Sequence, residues 1–249
     1  PDALAELCER IGLTADDTEQ WRRCADNMYI PFNKDLGVHE QDDTYLYRDP
    51  VDVASYPQNY EIKQDLSFMG LGRMQVTKQA DLILLMVTLG NRFSPETKRA
   101  NYEFYEPRTT HASSLSPAVH SIAAAELGKN NQMYRFFRQS MYLDLYDFKG
   151  NTPEGVHFAC AGGTWMAVVN GLAGLREYED GISFAPRIPD AWQSYRFRLV
   201  LKGRHVQIRI TQAAATFTLL KGRPLSFTVG GRTVRLTRQS PKARTPLAP

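Results

Sequence analysis

After Gly181 the spacing of apolar residues changes from the 3.6-residue period of helices to the 2-residue alternation of strands. That single change constrains the fold most. Upstream, apolar residues recur at helical spacing. Downstream, Arg196–Leu201 and Val206–Ile210 alternate around a turn at Gly203, followed by Ala215–Leu220, Leu225–Val229, a Gly230-Gly231 turn and Thr233–Leu236. Helices first and strands second imply two layers of different type. The expected division is a mainly α part over residues 1–178 and a small antiparallel β domain over 179–239. The tail 240–249, with three prolines and no apolar period, is expected to be disordered.

The helical part divides at its punctuation. The chain opens on Pro1-Asp2-Ala3, directly at a helix entry, as a fragment of something longer would. Leu4, Leu7, Cys8 and Ile11 form one helical face that Gly12 stops. A second helix after Thr14 carries Trp21, Cys24, Ala25, Met28 and Tyr29 and ends at Pro31. Residues 34–57 lose the period, though Tyr45, Tyr47, Tyr56 and Tyr60 argue for order there. Residues 78–89 are apolar nearly all round, which predicts a helix buried on every side. Ser94-Pro95 opens the next helix as N-cap and first helical residue, and Ser116-Pro117 predicts the same for residues 117–127. A helix presenting Met133, Phe136, Phe137 and Met141, and a small-residue helix over 161–175, complete the set. Alternating short and long connections suit antiparallel α-hairpins arranged in a ring.

Composition removes several function classes. With 30 Lys and Arg against 27 Asp and Glu the net charge is only +3, and no basic block offers a nucleic-acid surface. No run is apolar and long enough to cross a membrane, and no signal peptide opens the chain. The three cysteines are odd in number and far apart, so they suggest buried free thiols in a reducing, cytoplasmic setting and no zinc or disulfide framework. Chemistry concentrates in three polar clusters. Thr109, Thr110, His111, Ser113 and Ser114 precede a helix N-terminus, whose free N–H groups and dipole favour an anion such as phosphate. Taken alone, the loop reads first as serines that only cap and turn. Lys78-Gln79 could hydrogen-bond the hydroxyls of a sugar, or be a solvated helix end. Gly155-Val156-His157 precedes Gly162-Gly163-Thr164, where a glycine pair ahead of a helix would let N–H groups approach an oxyanion. Glu40, Asp42 and Asp43 cluster, but a glycosidase needs two separated carboxyl groups and no second acidic cluster has a comparable setting.

These residues together resemble a known family. Tyr105-Glu-Pro-Arg108, His111, Ser113-Ser-Leu-Ser-Pro117 and His120-Ser-Ile122 resemble a signature of the family-65 glycoside phosphorylases. Lys78-Gln79-Ala80-Asp81, Glu40-Gln41-x-Asp43, Gly155-Val-His157 and Gly163-Thr-Trp165 resemble further segments of that family, in the same order. The resemblance implies the second half of an (α/α)6 barrel followed by a C-terminal β domain. It implies an enzyme that cleaves an α-linked glucose disaccharide with inorganic phosphate, without a cofactor or metal, inverting the anomeric centre to give β-glucose 1-phosphate. Carried over by position, Lys78 and Gln79 would bind the glucosyl unit, and Ser113, Ser114, His157, Gly163 and Thr164 the phosphate. The family's general acid is a glutamate in a Gly-Pro-Asp-Glu-Tyr-like segment. This chain has no such segment, so the catalytic acid is expected upstream of Pro1 and none within the chain. The expected partners are the upstream half of the same protein and a second copy in a homodimer, with no nucleic acid and no membrane. A same-family hydrolase using water, and a non-catalytic carbohydrate-binding or scaffold fragment, are the alternatives.

Overall fold

In the computed structural model, residues 2–55, 70 and 72–247 are described. Three expectations lie outside them: the order inferred from Tyr56 and Tyr60, the helix entry at Pro1, and the general acid placed upstream of Pro1. The first described helix begins at Asp2. The order is helices then strands. Helices α1 (Asp2–Arg10) and α2 (Ala15–Asp26) lead to a short hairpin, β1 (Phe32–Asn33) and β2 (Val38–His39). Then follow α3 (Asp81–Thr88), α4 (Pro95–Tyr105), α5 (Ser116–Glu126), α6 (Asn130–Met141) and α7 (Phe158–Met166), which continues as a π-helical segment, Ala167–Leu172. Among the described residues no helix is long and apolar enough to cross a membrane.

Local chemistry sets most boundaries. Thr14 caps α2 in a capping box with Asp17, each side chain satisfying the other's backbone N–H. Ser94 accepts from the Thr97 N–H and Pro95 occupies the first turn of α4. Three expectations are corrected. Helix α2 stops at Asp26, and Met28 and Tyr29 lie beyond it, exposed. Helix α3 buries one face only: Ile83, Met86 and Val87 are inside, while Leu84 is exposed, because its neighbours α4 and α5 cover one side. Of the thiols only Cys160 is buried, and Cys24 on α2 is exposed.

Helix α5 is the most enclosed element, with Pro117, Ala118, Ile122, Ala123, Ala124 and Ala125 all buried. Small residues let it approach α7 and the π segment. A Cβ on Gly163 would lie 2.9 Å from the Ala118 Cβ, and one on Gly171 3.4 Å from the Ile122 Cα.

Two four-stranded sheets follow. One, in order β10-β7-β6-β5, is antiparallel and formed by β5 (Ser194–Leu201), β6 (Arg204–Thr211), β7 (Ala214–Lys221) and β10 (Lys242–Pro246). The other, in order β3-β4-β8-β9, holds β3 (Arg176–Tyr178), β4 (Gly181–Phe184), β8 (Leu225–Val229) and β9 (Arg232–Leu236). It is mixed, because β4 and β8 run parallel, which corrects the wholly antiparallel expectation. Phe184, Phe197, Ile208, Phe217, Phe227 and Leu236 form the core between them. The expected disorder of 240–249 is also corrected for 242–246. Strand β10 pairs with β7 from Lys242↔Thr218 to Pro246↔Ala214, Thr245 is buried and Leu247 packs on the core. Proline is tolerated because β10 is an edge strand.

One carboxylate ties the two parts together. Glu126, at the end of α5, accepts from Lys98 of α4 and, at 2.7 Å, from Arg176 of β3. Burial would raise its pKa, but Arg176 and Lys98 outweigh burial and hold it below the usual carboxylate range. The chain crosses from helix to strand at Gly174, with φ +62, where a Cβ would stand 2.5 Å from the Ala185 carbonyl oxygen.

The N-terminus of α5 departs from the expectation. Ser116 is the first residue of the helix and its hydroxyl caps nothing. It turns inward to the His111 Nδ1 at 2.9 Å, while the His120 Nδ1 lies 3.1 Å from the Ser116 carbonyl. A carbonyl only accepts, so His120 is the Nδ1–H donor there. His111 and His120 stand edge to face, and both rings pack on Phe136. Burial is the main cause that pushes His120 down to about 4 and His111 down to about 2, with the neighbouring cations adding to it.

Two outcomes follow from this packing. Gly174→Ala meets both the positive φ and the Ala185 backbone, and is expected to cost at least about 2 kcal/mol in urea unfolding. The buried histidines give an acid limb. The unfolded chain binds a proton at each near pH 6.5 whereas the folded chain does not, so stability is full above pH 6.5 and falls below it. His120 alone accounts for about 3 kcal/mol by pH 4. His120→Gln should flatten the measured fall between pH 6.5 and 4, whatever it does to stability at pH 7.

Candidate functional site

The loop 106–115 is held in place from two sides. On one, Thr77 and Thr109 form a parallel bridge: the Thr77 N–H donates to the Arg108 carbonyl, the Thr110 N–H to the Thr77 carbonyl, and the two buried hydroxyls meet at 2.8 Å. Lys78 and Gln79, exposed, are thereby brought beside Thr110 and His111. On the other side the Lys149 ammonium donates to the carbonyls of His111, at 3.0 Å, and Ala112. His111 itself adopts φ 51, which turns the chain between the two anchors.

Within the loop the serines differ. The Ser113 hydroxyl accepts from the Leu115 N–H at 3.3 Å, as a turn serine does, and its proton remains available. The Ser114 hydroxyl and the Lys78 and Gln79 side chains have no hydrogen-bond partner among the described residues. A polar group with no protein partner and partial exposure is free to bind a ligand.

Lys149 links this loop to the turn that orients His157. Asp144 accepts both from the His157 backbone N–H, at 3.0 Å, and from its Nδ1–H, at 2.6 Å. A carboxylate cannot donate, so the ring must carry its proton on Nδ1, and Nε2 faces the Asn151 amide at 3.3 Å. The hydrogen bonds from His157 hold Asp144 below the usual carboxylate range. His157 stands at the cap position of α7.

The glycine pair behaves otherwise than the spacing suggests. Gly162 and Gly163 lie inside α7, not ahead of it. There their N–H groups point along the helix, and Gly163 serves the close contact with Ala118. The Thr164 hydroxyl donates to the Cys160 carbonyl at 3.0 Å and meets the Ser140 hydroxyl at 2.7 Å, tying α7 to α6. Gly163 thus packs on α5 and Thr164 joins α7 to α6.

Within the acidic run, Asp42 has local partners. Asp42 accepts from the Thr44 N–H and hydroxyl and pairs with Arg48 at 2.5 Å. Gln41 donates to Asp81, next to Lys78-Gln79 in sequence. Sequence reasoning missed Asp144, Lys149 and Asn151. The spacing Asp144…His157 carries no periodic signal. Only the turn at 147–152, closed by Asp147 accepting from Thr152, brings the two together.

Comparison with known proteins fits this arrangement. Residues 2–166 match the family model described as glycosyl hydrolase family 65 central catalytic domain, and residues 175–236 the family's C-terminal domain. An α,α-trehalose phosphorylase of Geobacillus stearothermophilus is 39% identical over 97% of this chain and 32% of its own length. A maltose phosphorylase of Bacillus subtilis is 35% identical over 90% of this chain and 30% of its own. A solved structure from the human microbiome, provisionally called a kojibiose phosphorylase, superposes with a TM-score of 0.86 at 28% identity, over 97% of this chain and 33% of that one. The chain thus spans about a third of the length of the curated relatives it matches. With the loop anchored as described and both family models matched in order, the chain belongs to glycosyl hydrolase family 65.

Proposed function

We propose that this chain is the C-terminal portion of an inverting disaccharide phosphorylase, which cleaves an α-glucoside with inorganic phosphate to β-glucose 1-phosphate and a free sugar. The observation that carries the reading is the anchored loop. That loop carries the unpartnered Ser114 hydroxyl and is tied on one side to Thr77, which directly precedes Lys78-Gln79, and on the other to Lys149. The relatives' names support the reaction type, since trehalose, maltose and kojibiose phosphorylases are all among them.

In this reading Lys78 and Gln79 bind the glucosyl unit. Ser113, Ser114 and His157 hold the phosphate, and Lys149 adds positive charge beside the loop. Gly163 and Thr164 of α7 complete the phosphate set. Phosphate attacks the anomeric carbon while the glycosidic C–O bond breaks, and the departing oxygen takes a proton from a general acid upstream of Pro1. Inversion requires the phosphate and that acid to stand on opposite faces of the sugar. A phosphate nucleophile is already anionic, so it needs hydroxyls and cations more than a second carboxylate base. That is the composition of the loop. The helices would be half of an (α/α)6 barrel, residues 1–178, followed by the β domain from 179. The rest of the barrel would lie upstream in the same protein, and the whole protein would form a homodimer.

In the full-length protein, glucose 1-phosphate release should require phosphate, and Ser114→Ala and Asp144→Asn should each raise the KM for phosphate about tenfold. The 249-residue chain alone should release none. Equal turnover of the full-length protein with and without phosphate would replace this reading by a hydrolase.

A further inference from the structure

A cavity lies at the other end of α5, where the helices meet the mixed sheet. It has a volume of about 300 Å3 and shares no lining residue with the loop site. That volume is at the lower end for small-molecule sites. Its wall carries Lys98, Arg176 and Arg187 against the single carboxylate of Glu126, so it is positive by two charges.

The cations differ in how they are used. Lys98 and Arg176 are spent on Glu126, and Arg176 also donates to the carbonyls of Asn170 and Leu175 at 2.6 and 2.9 Å. Arg187 is anchored only by its backbone. Its N–H donates to the Leu172 carbonyl at 2.6 Å and its carbonyl accepts from the Tyr195 hydroxyl at 2.8 Å. Its guanidinium has no hydrogen-bond or ion-pair partner among the described residues. A half-buried guanidinium on a fixed backbone, facing a cavity, is a preorganised anion ligand. Two hydroxyls stand with it. Ser183 and Thr228 are register partners across the parallel pair β4–β8, both line the cavity, and neither side chain has a partner among the described residues. The Gly230-Gly231 turn at the rim, with φ of +54 and +78, keeps the mouth free of side chains.

We propose that this cavity binds a phosphate monoester, with Arg187 on the phosphate and the Ser183 and Thr228 hydroxyls completing its coordination. Inorganic phosphate alone would leave part of the volume unfilled, so the monoester binds more tightly.

Calorimetric titration of the chain with glycerol 3-phosphate, and with inorganic phosphate in parallel, tests the assignment. The expected result is a binding event that survives Ser114→Ala, weakens at least about tenfold in Arg187→Gln, and weakens about threefold in Thr228→Val. An affinity left unchanged by Ser114→Ala separates this site from the one proposed at the loop, where the same substitution weakens phosphate about tenfold, and holds whether or not that reading stands. Affinity unchanged in Arg187→Gln, no binding left in Ser114→Ala, or equal competition by chloride at the same ionic strength would each overturn it. Far-UV circular dichroism reports whether Arg187→Gln folds. If it does not, Thr228→Val decides by the same measure, since it removes a hydroxyl and no charge.

Discussion

The contact on which the rest depends is the approach of α5 to α7 and its π continuation. It exists because Gly163 and Gly171 carry no side chain where Ala118 and Ile122 press against them. A helix so enclosed cannot shift without moving its surroundings, since packed interiors transmit strain. Both of its ends are therefore fixed: the loop 106–115 at the N-terminus and Glu126 at the C-terminus. The π turn at 167–172 belongs to the same constraint. It lets the chain leave α7 and reach the strand at Arg176 through Gly174, whose φ of +62 completes the change of direction.

The polar seam at the start of α5 is held by burial and hydrogen bonding, with little charge. His111 and His120 are both neutral at pH 7, and the Ser116 hydroxyl joins the two rings. Hydrogen bonds replace lost water at the Ser116 hydroxyl and at both Nδ1 atoms, while the His120 Nε2 is buried with no partner among the described residues. The charged groups of the site are kept outside this seam. Lys149 reaches it through carbonyl oxygens, and Asp144 accepts from His157 at the half-exposed turn. A dry, neutral support beneath a wet, charged edge keeps the loop in one shape while leaving its free hydroxyls accessible.

What the sequence made legible was whatever is encoded locally. The capping box at Thr14, the Ser94-Pro95 start and the glycine stop at Gly12, at positive φ, depend on residues within one turn. So did the change from helix to strand. What failed required knowledge of partners. Ser116 has the residue type and spacing of a cap, but His111 of the loop and His120 of the helix itself compete for its hydroxyl. The tail looked disordered because its prolines forbid a central strand, yet β7 offered a free edge. The glycine pair looked like an oxyanion nest because a glycine pair is the same in sequence whether it frees N–H groups or admits a neighbouring helix. The three polar clusters were all visible, but Lys149 and Asp144, which join two of them, came from a turn with no periodic signal.

The two ends of α5 also show how the helix dipole shapes composition. At the N-terminus the dipole favours an anion, so hydroxyls, a lysine and a histidine suffice around the loop. At the C-terminus the dipole disfavours an anion, and Glu126 adds a full negative charge of its own. Lys98 and Arg176 offset those two contributions, and their side chains are committed in doing so. Any anion held in the neighbouring cavity must then be met by a further cation. Arg187 is that cation, and it comes from the β domain, whose strands also supply both free hydroxyls. The helical part alone could not build a site at that end, because its own charges are already balanced there. A cavity of that kind becomes possible only where the second domain docks, and the Glu126–Arg176 pair is what sets the docking.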